Sequence, residues 1–141
     1  MRKSFITMIA IGLFSVANTT FAASNDYLEP VTNTVSVSFS NSSSTFNPGP
    51  TNAALLETAK DASMVTINGR TSTIHPSKRD ENLALARAVS ARNYLVDHGV
   101  SPLKIMINYV SAADFVADNV TPEGRYLNQR VDIQMIYVPM Y

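Results

Sequence analysis

The sequence predicts an α+β domain, a two-layer β/α sandwich with the element order β-α-β-α-β-(short α)-β. Three observations lead there. Apolar and polar residues alternate in separate short runs, an alanine- and leucine-rich helical stretch lies between two of those runs, and 141 residues leave room for one small core.

In the first strand Val35, Val37 and Phe39 alternate with Ser36, Ser38 and Ser40, a period of two that yields one buried face. Residues 41–50 then collect serine, asparagine, glycine and proline, which is loop chemistry. A helix is expected from about Pro50 to Asp61, because Ala53, Leu55, Leu56 and Ala59 share an apolar side and Pro50 suits a first turn. Met64 to Gly69 reads as a second strand, with Val65 and Ile67 on one face.

The longest helix is expected from about Asp80 to Asp97. Asp80 and Glu81 suit the positive helix start, and Gly99 supplies the stop. Its interior is apolar around much of the circumference, as suits a helix lying flat on a sheet. Ile105, Ile107 and Tyr109 mark a third strand, and Thr121 is a cap with Pro122 at the first position of a short helix. In the last strand Val131, Ile133, Met135 and Tyr137 alternate with Asp132 and Gln134.

The N-terminus carries a different signal. Arg2 and Lys3 precede an apolar run from Phe5 to Val16, and Thr20-Phe21-Ala22 offers small residues around a cut site. Residues 1–22 are therefore expected to be a secretory signal peptide, too short in its apolar core to span a bilayer. Residues 23–33 are expected to be a flexible lead-in and residues 34–141 the folded domain, with no transmembrane span in the mature chain. Without Arg2 and Lys3 the basic count falls from 11 to 9 against 11 acids, a formal charge of 9 − 11 = −2. Such a balance offers no clustered positive surface for nucleic acid.

Cysteine is absent, which excludes a disulfide framework and a lipid-bearing cysteine. A disulfide-free exported domain fits a bacterial periplasm, with the cell wall or outer membrane reached through a partner. His75 and His98, the only histidines, lie on different elements with no companion ligands, so no metal and no cofactor is expected. Ser72 near His75 lacks a nucleophile elbow and a third orienting group, and an enzyme is not expected.

Two stretches carry a more specific pattern. Arg70 to Leu95 reads R-T-S-T-I-H-P-S-K-R-D-E-N-L-A-L-A-R-A-V-S-A-R-N-Y-L, and Thr121 to Ile133 reads T-P-E-G-R-Y-L-N-Q-R-V-D-I. Together they resemble the OmpA-like peptidoglycan-binding domain, whose pattern runs G-H-T-D, N-x-x-L-S-x-x-R-A and G-R-x-x-N-R-R-V. Gly69 and Thr71 keep two positions of the first motif, while Arg70 replaces its histidine and Ser72 its aspartate. Asp80 stands for the asparagine of the second, Leu83-Ala84 for Leu-Ser, and Arg87-Ala88 matches Arg-Ala. Gly124, Arg125, Asn128, Arg130 and Val131 fit the third, with Gln129 replacing its first arginine.

The resemblance implies a role for each group. In the family an arginine binds the carboxylate of the diamino acid of the peptidoglycan stem peptide, commonly diaminopimelate, and an aspartate receives its ammonium. That assigns Arg87 to the carboxylate and makes Ser72, Thr71, Asn41 and Leu83 the rest of the ligand pocket. Gly124, Arg125, Asn128 and Arg130 become a structural signature, its asparagine and arginine tying the short helix to the last strand. The family acid after the first strand is also missing here, since Phe39 is followed by Ser40-Asn41-Ser42-Ser43-Ser44. The expected function is non-covalent, weakened association with a diaminopimelate-type stem peptide. The alternative is a protein–protein adaptor in a secretion, conjugation or pilus apparatus that has lost wall binding.

Overall fold

The computed structural model describes residues 28–140. The expected signal peptide lies outside the described residues, as do residues 23–27 of the expected lead-in. Among the described residues four strands and three helices follow in order: β1 (Val31–Ser38), α1 (Gly49–Leu56) with a 3-10 turn at Glu57–Asp61, β2 (Met64–Arg70), α2 (Lys78–Asp97), β3 (Ile105–Val110) after a 3-10 turn at Pro102–Lys104, α3 (Pro122–Asn128) and β4 (Arg130–Tyr137).

The sheet order is β1-β4-β2-β3. β4 runs antiparallel to both neighbours, and β2 and β3 are parallel. A parallel pair cannot be joined by a hairpin, so α2 forms the crossover between them. The register sets Ile133 beside Val35 on one side and Ile67 on the other, and all three are buried. Their face, with Val37, Val65, Val131 and Met135, packs under Ala88, Ala91 and Leu95 of α2 and under Leu56 and Ala59. Small residues on the helix let it approach closely. A Cβ built on Gly69 of β2 would lie 2.1 Å from the Ala84 carbonyl oxygen, so only glycine fits there.

Four expectations are corrected in detail. β1 starts at Val31 rather than at the proposed boundary of 34, because Val31, Thr32 and Asn33 pair with Tyr137, Ile136 and Met135. Their side chains are exposed, so backbone pairing and not hydrophobic period holds them. The first helix is α-helical only to Leu56 and tightens to a 3-10 turn beyond it. The long helix starts at Lys78 with Ser77 as its cap. Ser77 Oγ accepts from the Asp80 amide at 3.1 Å and donates to the Asp80 carboxylate at 2.5 Å, a serine-to-acid capping pair in place of the expected bare acidic start. The buried face of α2 is also a stripe, Ala84, Ala88, Ala91 and Leu95 with Arg87, and not most of the circumference.

Candidate functional site

Arg87 projects from α2 among the carboxyl ends of β1 and β2 and is 1% exposed. Its Nε donates to the Ser43 carbonyl at 2.8 Å, Nη1 to the Arg70 carbonyl at 3.0 Å and Nη2 to the Ser40 carbonyl at 3.4 Å. The guanidinium carbon also lies 5.2 Å from the centroid of Phe39. Among the described residues it forms no ion pair. Burial pushes its pKa down to about 10 against the opposing pull of Asp80, which leaves it charged at neutral pH.

The serine loop explains how neutral residues hold a cation. Ser43 N donates back to the Ser40 carbonyl at 3.0 Å, and Ser42 has φ of 57°, so residues 40–43 form a tight turn. That turn supplies two of the three carbonyls facing Arg87. Backbone dipoles thus stand where the resemblance leads one to expect a side-chain acid. A guanidinium carries five N–H groups, and three are used, which leaves one on each terminal nitrogen.

A cavity of about 100 Å³ opens against Arg87. All five expected ligand residues line it: Arg87, Ser72, Thr71, Asn41 and Leu83. Asp80 and Gln129 line it as well. Gln129 Nε2 donates to Ser72 Oγ at 2.9 Å and to Asn41 Oδ1 at 3.1 Å, bridging the two sides of the cavity. Thr71 and Thr73 share a hydroxyl contact of 3.1 Å. Ser72 is therefore a pocket hydroxyl with an internal donor. The bridging role of Gln129 was not read from the sequence, although its departure from the arginine of the resembled pattern was the available signal.

The expected structural signature is built mostly into the loop between β3 and α3. Asn128 Oδ1 accepts from the amides of Val116 (2.8 Å) and Ala117 (3.2 Å), and its Nδ2 donates to the Ala117 carbonyl and Asn119 Oδ1, both at 3.0 Å. Arg125 Nη1 donates to the carbonyls of Asn119 and Val120 at 3.2 and 2.8 Å. A Cβ on Gly124 would lie 1.6 Å from the Asp118 carbonyl oxygen. Asn128 and Arg125 thus tie α3 to the loop before it, and not to the last strand as expected. Arg130 pairs with Asp132 at 2.9 Å and donates to the Asp114 carbonyl at 2.9 Å. Asp114 in turn pairs with Arg70 at 2.6 Å, which occupies the histidine position of the resembled motif. Asn119 donates to the Ser72 carbonyl, so this loop also buttresses the pocket.

Comparison with known proteins agrees with this architecture. The sequence pattern of the OmpA family matches residues 40–129. An outer membrane lipoprotein assigned to a type IV secretion system of Brucella suis is 31% identical over 109 residues, covering 76% of this chain. The chain spans 63% of the length of that relative, and 42% of its Brucella melitensis counterpart. Among solved structures, the OmpA-like domain of FopA1 from Francisella tularensis superposes with a TM-score of 0.61 at 20% identity, covering 77% of this chain and 75% of that one. The peptidoglycan-associated lipoprotein from Burkholderia pseudomallei gives 0.61 at 22% identity, covering 72% and 88%.

Proposed function

This chain belongs to the OmpA family, and on that premise we propose that it binds peptidoglycan non-covalently, through a diaminopimelate-type stem peptide held at Arg87. The family is non-enzymatic, so the role is attachment and not chemistry on the wall.

One observation carries the reading: a fully buried guanidinium faces a polar cavity with no carboxylate paired to it among the described residues. A buried charge left unpaired is costly, and an incoming carboxylate relieves that cost. The three carbonyls hold the fork in place and leave one N–H on each terminal nitrogen, the number a bidentate carboxylate needs. A second feature answers the loss of the family aspartate. Asp80 lines the same cavity from the start of α2, so an anionic group for the ligand ammonium remains, moved from the end of β2 to the helix cap.

Co-sedimentation with purified sacculi tests the reading. Wild-type protein is expected in the pellet and Arg87→Ala in the supernatant, with circular dichroism confirming that the variant is folded. Wild-type protein left in the supernatant, or a folded Arg87→Ala that pellets as well as wild type, ends the proposal.

A second reading has its own support. The Brucella relatives are assigned to a type IV secretion system. Strand β3 lies at the sheet edge, and Met106, Tyr109, Val110, Phe115 and Val116 on it and after it are exposed. An adaptor that docks another envelope protein there would leave sacculi unbound and give a crosslinked partner in cells from a photoreactive residue at Tyr109.

A further inference from the structure

The cleft does not end at Gln129. Asn41 and Gln129, joined by their 3.1 Å hydrogen bond, line the Arg87 cavity on one side and a larger cavity of about 360 Å³ on the other. The second cavity is completed by Ser40, Pro122, Arg125 and Tyr126. Arg125 is anchored there by one nitrogen only. Nη1 donates to the carbonyls of Asn119 and Val120, while among the described residues Nε and Nη2 meet no protein acceptor and the group makes no ion pair. Beside it the Tyr126 ring is half-exposed. Both N–H groups of the Gln129 amide are used within the dividing wall, so its carbonyl oxygen is the group left to accept from a ligand.

Two guanidinium groups therefore sit on either side of one amide wall, neither of them in an ion pair among the described residues. We infer that the second cavity is a carboxylate subsite, so that the cleft reads a peptide bearing two acid groups, one at Arg87 and the next at Arg125. The inference rests on the stem-peptide reading above and sharpens it. In a stem peptide the residue before the diamino acid is a glutamate linked through its side chain, which leaves its α-carboxyl free unless it is amidated. That carboxylate is the group Arg125 would take, with Nε and Nη2 as the donating edge. The Tyr126 ring offers a surface for the aliphatic part of the same residue. Recognition of this kind separates walls whose glutamate is free from walls whose glutamate is amidated.

Calorimetric titration of the full chain tests it with three soluble probes: meso-diaminopimelate, γ-D-glutamyl-meso-diaminopimelate, and the same dipeptide with its glutamyl α-carboxyl amidated. The acid dipeptide is expected to bind at least about fivefold tighter than the amide, the difference between a charge-assisted and a neutral hydrogen-bonded contact. Arg125→Gln is expected to bring the two level. The acid-against-amide comparison on wild-type protein needs no variant, so it stands even if Arg125→Gln fails to fold. Equal affinities for acid and amide, or a preference that survives in folded Arg125→Gln, overturn this inference alone, provided that diaminopimelate binds and Arg87→Ala abolishes it. Absence of binding by all three probes, or binding indifferent to Arg87→Ala, overturns the stem-peptide reading and this inference together.

Discussion

The side-chain amide of Gln129 donates to the hydroxyl of Ser72 at 2.9 Å, across the cavity whose floor is Arg87. The position that lost the family's acid is thus held by a neutral donor. A carboxylate introduced there would find that donor waiting.

Ser72→Asp is accordingly expected to fold and to tighten diaminopimelate binding by about tenfold, the gap between a charged and a neutral acceptor for the ligand ammonium. Titration calorimetry reads it directly. Unchanged or weaker binding would show that the new carboxylate pairs with Arg87 instead of with the ligand.

Asp80→Asn removes the acid that remains in the cavity. Because the Asp80 amide still donates to Ser77 Oγ, the helix cap survives. The stability loss is expected to stay within about 1 kcal/mol, the scale of one acid at a helix start. Diaminopimelate affinity should nevertheless fall by roughly tenfold. An affinity equal to that of wild type would remove Asp80 from the site.

Gly69→Ala tests the approach of α2 to β2. The added methyl would overlap the Ala84 carbonyl, which is backbone and cannot swing aside. Denaturant unfolding should show a loss of about 1–3 kcal/mol, the usual cost of overpacking. Arg87 lies one turn farther along the same helix, so ligand binding is expected to weaken as well. Wild-type stability in this variant would mean that helix and strand separate more freely than their packing suggests.

Asn128→Ala tests the loop. The side chain is fully buried and makes four hydrogen bonds to residues 116–119, two of them to otherwise free backbone amides. A destabilisation of about 3 kcal/mol is expected, since the orphaned amides bear a desolvation penalty. Hydrogen exchange should speed up first at Val116 and Ala117. Uniform acceleration across the domain, with those two amides no faster than the rest, would place the role of Asn128 elsewhere.

How much of this was legible in the chain differs by element. Strands β2 and β4 were readable because one face is buried and the other is not, and a period of two records that asymmetry. The first three residues of β1 were not, because their side chains are exposed and only the backbone of β4 recruits them. The Ser77 cap is legible as a serine followed three residues later by an acid, although the acid by itself predicts only a start near Asp80.

The sequence by itself determined the fold family, the arginine at position 87 and the absence of an aspartate at position 72, since these are matters of residue type at a spacing. Tertiary structure alone decided what surrounds that arginine. Carbonyls of Ser40, Ser43 and Arg70 come from segments more than fifteen residues away, and a carbonyl carries no trace in residue identity. Nor does composition tell whether Gln129 and Asn41 meet to divide one cleft into two. Local pattern records which face a side chain takes; only the closed sheet brings distant backbones to a common point, and there the charge balance of the pocket is settled.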